Sequence, residues 1–505
     1  AYSCIEAVSA ANLHGRPIVG AEAFTSHNKK FWRLHPANMK NQTDWAFCIG
    51  INRMVFHRYA HQPWTDRYPG MTMGIVGMNY ERTQTWWELS QSWHTYLSRC
   101  QYLLRQGRGV ADILFLTPEG APMAFMPPES ALTGHERLPD KKGYNFDGCD
   151  PGTLLTARVS DGKIAFPSGM QYSLLVLPTE ETMTPAMLAK VESLVKDGAA
   201  VMGYAPRKSP SLSDYPQADG EVERLAATLW ADSQPGSVRA VGKGKLIHSA
   251  PADTVGNQPT VRGYLPPYVR YDVIEKALGE LGVLPDFESD VTLRYIHRKG
   301  KNMDIYMVSN PTDQAVAANC TFRINGRSVS LWDAVQGLIA PAQAEATGDG
   351  RSRLSLPLEA YGSLFVVFSD EQAADPANTA NLWPVLHHEQ TLEGPWEVTF
   401  QAGRKAPEKA TFDSLSDWTL NADPGIRYFS GIADYTRHFT LNADELQAHP
   451  RWFLDLGRVE VLARVEINGQ IVTELWKAPY RCEITPYLKA GGNTLRISVA
   501  NEWPN

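Results

Sequence analysis

The stretch Arg16-Pro17-Ile18-Val19-Gly20-Ala21-Glu22-Ala23-Phe24-Thr25-Ser26 decides how this chain is read. A short apolar run ends by putting one carboxylate where a strand meets a loop. Burying an unpaired charge is costly, so an apolar strand has little structural reason to finish in a glutamate. The carboxyl ends of parallel strands, by contrast, are where barrel enzymes carry their catalytic groups. Glu22 is therefore a candidate for chemistry, set against the plainer alternative of a surface glutamate at a strand end.

On either side of this stretch the pattern alternates. From Cys4 to Leu13, Ile5, Val8 and the alanines recur at helical spacing, and His14-Gly15 stops that helix before the strand Pro17 to Glu22. Met39, Trp45, Phe47, Cys48 and Ile51 predict a second helix, and Met54-Val55-Phe56-His57 a second strand. A third helix follows with Trp86, Leu89, Trp93, Tyr96, Leu97, Cys100, Leu103 and Leu104 on one face. Glu22 and His57, 35 residues apart, fall at the carboxyl ends of successive strands and are expected to point into one mouth. Residues 1–107 are read as the C-terminal quarter of a (β/α)8 barrel whose other strands precede Ala1. The chain starts without Met and stops in a strand-like segment, so it is read as part of a longer polypeptide, and the missing signal peptide says nothing about export.

Residues 108–288 read as a flavodoxin-like α/β domain. Its strands are Val110–Leu116, Tyr172–Pro178 and Ala199–Gly203, and its clearest helix is capped by Thr184, opened by Pro185 and stopped at Gly198. No glycine fingerprint opens a helix, which disfavours a nucleotide role. Residues 289–372 read as a small β-sandwich with strands at Val291–Ile296, Met303–Val308, Ala318–Ile324 and Ser363–Phe368. Residues 373–390, with Pro376 in an Ala/Asn-rich run, read as a linker. Residues 391–505 read as a second, galactose-binding-like β-sandwich of jelly-roll type, with a tight hairpin at Asn468-Gly469. The expected fold class is multidomain, α/β plus all-β.

Composition narrows the function. With 43% hydrophobic and 20% charged residues and no apolar run near the roughly 20 residues of a membrane helix, no membrane insertion is expected. A net charge of −7 without a long basic cluster argues against nucleic acid and favours a neutral ligand. Fourteen tryptophans and 20 tyrosines suit sugar stacking, although most belong in cores. The six cysteines are scattered, with no CxxC pair, and read as free and buried.

Around the second strand, Asn52 to Pro63 is dense in hydrogen-bonding groups. Arg53, His57, His61 and Gln62 are candidates to read sugar hydroxyls, against the alternative of a packed strand end. The four-residue spacing of His57 and His61 suits zinc on a helix, not on a strand and loop. In the loop that follows, glycines at 70, 74 and 77 allow a tight fold, and Asn79, Arg82 and one of Trp86 and Trp87 are candidates to face a ligand. Trp93 reads as core. Glycoside hydrolysis needs two carboxylates. Glu22 is one candidate, and Glu81 a second whose alternative is a solvated loop glutamate.

The segments AEAFTS (21–26), INRMVFHRYAHQP (51–63), PGMTMGIVG (69–77) and RTQTWW (82–87) resemble signature blocks of the α-L-rhamnosidases of glycoside hydrolase family 106. YFSGIADY (428–435), LDLG (454–457) and VEING (465–469) are similar to its terminal sandwich. The resemblance implies an inverting, calcium-dependent enzyme that removes terminal α-L-rhamnose from glycans, on a barrel with appended β domains. It makes Glu22 the general base and assigns the general acid to an earlier block without a counterpart here, so this fragment alone is expected to be inactive. The calcium ligands stay unassigned. A rhamnose-containing carbohydrate is the expected partner, and a periplasmic or secreted location is favoured over a cytoplasmic one. Two alternatives stay open: a retaining β-glycosidase with Glu22 as nucleophile, and a carbohydrate-binding assembly whose terminal sandwich does the binding.

Overall fold

The computed structural model describes residues 2–27, 32–72, 74, 76–120, 124–135, 138–250, 267–371, 382–388 and 390–503. The chain forms two compact units. The first comprises Ala1–Gly20, Asp44–Arg53 and Gln101–Ala380, and the second Ala21–Thr43, Met54–Cys100 and Asn381–Asn505. The first 107 residues are thus divided between them.

In the first unit, helix α1 (Tyr2–Leu13) forms where expected and buries Ile5, Val8, Ala11 and Leu13. It lies on the strand Phe146–Cys149: Ser9 Oγ accepts from Gly148 N at 3.0 Å, and Asn12 Nδ2 donates to the Asp147 carboxylate at 3.1 Å. That strand edges a six-stranded sheet. Next to it come Ile113–Leu116, Leu174–Val176, Ala200–Gly203 and Gly244–His248, all parallel, and then Val238–Val241, which is antiparallel. Numbered along the chain, the parallel strands stand in the order 2-1-3-4-5. Ile113–Leu116, Leu174–Val176 and Ala200–Gly203 are wholly buried apolar runs because a parallel sheet is covered on both faces.

Helix Pro185–Asp197 matches its local signals. Thr184 Oγ1 accepts from Met187 N at 3.3 Å, Pro185 stands at the first turn, and Gly198 ends the helix with φ +129°. The expected strand Tyr172–Pro178 is split: Tyr172 pairs with Ile164 in a separate three-stranded antiparallel sheet, and only Leu174–Val176 joins the parallel one.

After the helices Gln217–Trp230 and Tyr271–Glu280, this unit is β from Phe287 onward. Two sheets pack face to face, with Phe322 of one lying 4.9 Å from Tyr306 and 5.4 Å from Phe368 of the other. The expected strand at 291–296 shifts to Arg294–Lys299. Strands at Ser328–Asp333, Leu338–Ala342 and Ser352–Leu358 add to those foreseen.

Strands β1 (Gly20–Ala23) and β2 (Arg53–Phe56) form a two-stranded sheet. Their bonds run in parallel register: Val19 O accepts from Asn52 N and Arg53 N at 3.0 and 3.1 Å, and Ala23 O accepts from His57 N at 2.9 Å. β1 starts later than expected and alternates exposed and half-buried residues instead of being buried. The described residues close no barrel around this pair. Helix α2 (Pro36–Ile49) precedes β2, and α3 (Gln91–Leu103) follows it in the chain. Trp86 was expected at the head of α3, but it precedes a short 3-10 turn, Trp87–Leu89.

The terminal part of the second unit is a six-stranded antiparallel sheet. Its order is Lys409–Phe412, Trp396–Phe400, Ile432–Leu441, Gly491–Ala500, Leu462–Ile467 and Gln470–Leu475, and the strands Phe453–Asp455 and Arg481–Glu483 pair separately. The Asn468-Gly469 hairpin has φ +51° and +81°, the left-handed pair that a two-residue turn requires. Most of the expected linker, including the run 373–381, lies outside the described residues.

Candidate active site

Successive strand residues point to opposite faces. On β1 and β2 the half-buried positions are Ala21, Ala23, Met54 and Phe56, while Glu22 and Val55 are exposed. Phe56 rests on an aromatic layer, with Phe24 at 5.2 Å, Trp93 stacked at 5.3 Å and Tyr80 at 5.4 Å. Glu22 therefore stands on the face turned away from that layer. Its Oε1 accepts a hydrogen bond from Thr25 Oγ1 at 2.7 Å, and no cation pairs with it among the described residues.

The neighbouring strand brings His57 to the same end. Its N–H donates to Ala23 O at 2.9 Å, and its carbonyl accepts from Met78 N at 3.0 Å. Gly77 N in turn donates to Ser26 O at 3.0 Å, so residues 77 and 78 tie both strand ends together. His57 Nδ1 is buried and has no hydrogen-bond partner among the described residues. Glu22, Thr25 and His57 thus gather at one strand end, as the 35-residue spacing foresaw for the outer two. Thr25 was not singled out from the sequence, although it stands within reach three positions after Glu22.

The other candidates divide by what already occupies them. Gln62 is buried, with Nε2 donating to Met71 O at 2.7 Å and Oε1 accepting from Met71 N at 2.8 Å. Arg82 is exposed but donates from Nη2 to Gln62 O at 2.7 Å. Both therefore brace the loop. Asn79 is buried, has φ +54° and accepts from Trp32 N. Trp86 is fully buried, with Nε1 donating to Leu34 O at 3.1 Å, so its ring is core. Trp87 is the partly exposed member of the pair, its ring 4.6 Å from Tyr80 and 6.2 Å from the exposed Tyr59. His61 is exposed on the loop, and Arg53 is exposed at the start of β2.

Glu81 is not a solvated loop glutamate. It is 0% exposed, its carboxylate accepts from Thr83 N at 2.7 Å and from Thr83 Oγ1, and burial raises its pKa against those bonds. Nor is there a metal centre: among the described residues no three His, Cys, Asp or Glu side chains are grouped to hold an ion.

Comparison with known proteins identifies the family. The family model described as alpha-L-rhamnosidase, glycoside hydrolase family 106, matches residues 3–345, and one described as a glycosyl hydrolase 2 galactose-binding domain-like matches residues 430–505. The structure of a rhamnosidase from Novosphingobium sp. PP1Y is 32% identical with a TM-score of 0.82, over 98% of this chain and 44% of that one. A Formosa agariphila protein named "Putative beta-glucuronidase" is 26% identical over 98% of this chain and 58% of its own length. The chain thus spans about half the length of these two relatives. A Ruminococcus gnavus beta-glucuronidase structure is 21% identical, with a TM-score of 0.20 over 24% of this chain and 22% of its own. With its family model running through more than half of its residues, the chain belongs to glycoside hydrolase family 106, the α-L-rhamnosidases.

Proposed function

We propose that this chain supplies part of an α-L-rhamnosidase that removes terminal α-L-rhamnose by an inverting mechanism, with Glu22 as the general base. The observation that carries this reading is the placement of Glu22: an exposed carboxylate at the carboxyl end of β1, held by Thr25, with no cation paired to it among the described residues, beside the strand end that carries His57. Thr25 occupies Oε1 and leaves Oε2 to take a proton from water. That water attacks the anomeric carbon, the bond to the leaving oxygen breaks, and a second carboxyl protonates that oxygen, the two groups standing roughly 6.5–9.5 Å apart. Glu81 is sealed inside the protein, so this reading leaves the acid unassigned. The exposed His61 suits sugar hydroxyls, His57 stands at the strand end beside Glu22, and Trp87 with Tyr59 offers an aromatic surface. Gln62, Arg82 and Asn79 shape the loop that carries such contacts. Calcium enters no step.

The parallel pair β1–β2 supports the reading of residues 1–107 as barrel-derived, and the 2-1-3-4-5 strand order supports a flavodoxin-like domain over 108–288. A β-sandwich at 289–372 and a jelly roll at 391–505 complete the proposed division. A periplasmic or secreted location remains part of the proposal. No helix among the described residues is long and apolar enough to cross a membrane.

The test is turnover of an aryl α-L-rhamnoside by the full-length polypeptide carrying Glu22→Gln. Loss of a general base lowers the rate about 10²- to 10⁴-fold, and activity kept at the wild-type level removes Glu22 from the role. Proton NMR of the first product separates the mechanisms: β-rhamnose means inversion, whereas α-rhamnose makes Glu22 a nucleophile in a retaining enzyme.

A further inference from the structure

The terminal β domain reaches into the loops of the candidate site. The guanidinium of Arg404 packs against two rings at once, 3.3 Å from the centre of Tyr68 and 4.7 Å from that of Trp503, and those rings stack on each other at 5.7 Å. Trp503 Nε1 donates to Thr83 O at 3.1 Å, and Thr85 Oγ1 donates to Asn501 O. Further along, Glu474 Oε2 accepts from Ser92 N at 3.0 Å, while its other oxygen holds Arg464, which itself donates to Glu88 O at 2.6 Å. The grip therefore extends from Tyr68 through Thr83 to the start of α3.

What it grips carries the site. Tyr68 precedes Pro69 and Gly70. Gly70 has φ +112°, and a Cβ there would come within 2.7 Å of Thr83 Oγ1 and 2.8 Å of Gln62 Oε1. Thr83 Oγ1 also bonds Pro69 O and Glu81, and Arg82 bonds Gln62. Displacing Tyr68 or Thr83 would therefore move Gln62, Met71 and the chain that bears His61. The Nε and Nη1 of Arg404 are buried with no hydrogen-bond partner among the described residues, so the side chain is retained by ring stacking and not by acceptors. Such a residue covers the stacked pair and fastens Tyr68 to Trp503.

We propose that the terminal β domain is a positioning element of the rhamnoside site, with Arg404 and Trp503 clamping the 62–83 loop, and not a separately acting sugar-binding module. This inference rests on the function proposed above. Arg404 is a positioning residue: it touches the loop, and the loop touches the sugar. Loosening the clamp degrades binding more than chemistry, because Glu22 and Thr25 are held by β1 and not by Tyr68 or Thr83.

The experiment compares Arg404→Ala and Arg404→Lys in the full-length polypeptide, reading kcat and KM on an aryl α-L-rhamnoside, Tm, and trypsin cleavage after the exposed Arg67. Arg404→Ala is expected to raise KM roughly five- to thirty-fold, the worth of a desolvated cation–π contact, with kcat little changed. Cleavage at Arg67 accelerates, and Arg404→Lys restores most of both. Unchanged KM and cleavage, a loss that lysine does not reduce, or a fall of kcat and Tm without the rise in KM overturns the clamp. A wild-type polypeptide inactive on rhamnosides defeats the proposed function instead, while the rate of cutting at Arg67 still decides the clamp.

Discussion

Replacing His297 with glutamine should cost the first unit about 3 kcal/mol near pH 6, and much less in alkali. His297 lies between two carboxylates: Nδ1 is 3.0 Å from both oxygens of Asp286, and Nε2 is 2.7 Å from Asp304. All three residues are at most 3% exposed. Tyr306 donates to Asp286 at 2.9 Å and stacks on the imidazole at 3.9 Å. Arg323 holds Asp112 at 3.0 Å and reaches Asp286 at 3.5 Å, and Arg327 holds Asp304. Asp112, Asp286 and Asp304 are thus balanced by His297, Arg323 and Arg327.

Removing one member of a buried charge set typically costs about 3–5 kcal/mol, because its partners are left uncompensated. The lower end applies here. Asp286 keeps Tyr306 and Arg323, Asp304 keeps Arg327, and glutamine can still supply one donor. Burial by itself would depress the imidazole, but Asp286 and Asp304 outweigh it and hold the imidazolium above its ordinary range. A folded-state value above the unfolded one, about 6.5, stabilises fully below that pH and loses its effect as pH rises through the folded value. Urea unfolding of wild type and His297→Gln at pH 6 and pH 9, followed by tryptophan fluorescence, measures both quantities. A difference under about 1 kcal/mol at pH 6, or one that widens toward pH 9, would refute the reasoning, since either leaves the imidazolium without the worth of a buried partner.

Two further substitutions test the loop and its aromatic pair. Gly70→Ala places a Cβ against Thr83 and Gln62 at a left-handed φ, so a loss of about 1–3 kcal/mol is expected; an unchanged Tm would show that the loop does not need its glycine. Trp86→Ala empties a core position and should cost about 3–5 kcal/mol, whereas Trp87→Ala should leave Tm within a few degrees and raise KM for the rhamnoside. Equal effects of the two on Tm would contradict their separate placements.

Where a structural decision is made by neighbours in sequence, this chain can be read directly. Thr184, Pro185 and Gly198 mark both ends of one helix, Asn468-Gly469 marks a hairpin, and Trp396–Phe400 forms the strand its alternation describes. Ser352–Leu358 alternates buried and exposed positions strictly, and Leu354, Leu356 and Leu358 carry that period in the sequence, but Pro357 among them reads against a strand. Trp86 fails for another reason. Its spacing to Leu89 and Trp93 fits a helical face, but Trp86 and Leu89 belong to a 3-10 turn and its cap while only Trp93 lies on α3, and periodicity does not distinguish the two. The His297 network was invisible because Asp112, Asp286 and Arg323 meet only after two sheets have formed around them. Gln62 and Arg82 show the same limit at the site, since groups suited to sugar hydroxyls are equally suited to the chain's own carbonyls.

Glu22 and Glu81 show how burial assigns roles that residue type leaves open. A general acid needs a carboxyl that keeps its proton near neutral pH, and burial pushes Glu81 in that direction. Yet an acid must also touch the leaving oxygen, and Glu81 is closed off, with Thr83 on its carboxylate and Thr83 itself pinned by Pro69 and by Trp503 of the terminal domain. Opening a path to it would dismantle the turn that places Gln62 and Met71. Glu22 has the opposite properties: one oxygen is steadied by Thr25, no cation among the described residues neutralises it, and it stands at an exposed strand end. A base requires that accessibility, while a buried brace requires the enclosure of Glu81. The pair therefore does not divide into the acid and base of one reaction. On the function proposed above, Glu22 is left to the chemistry, and Glu81 to the loop bonded by the terminal domain.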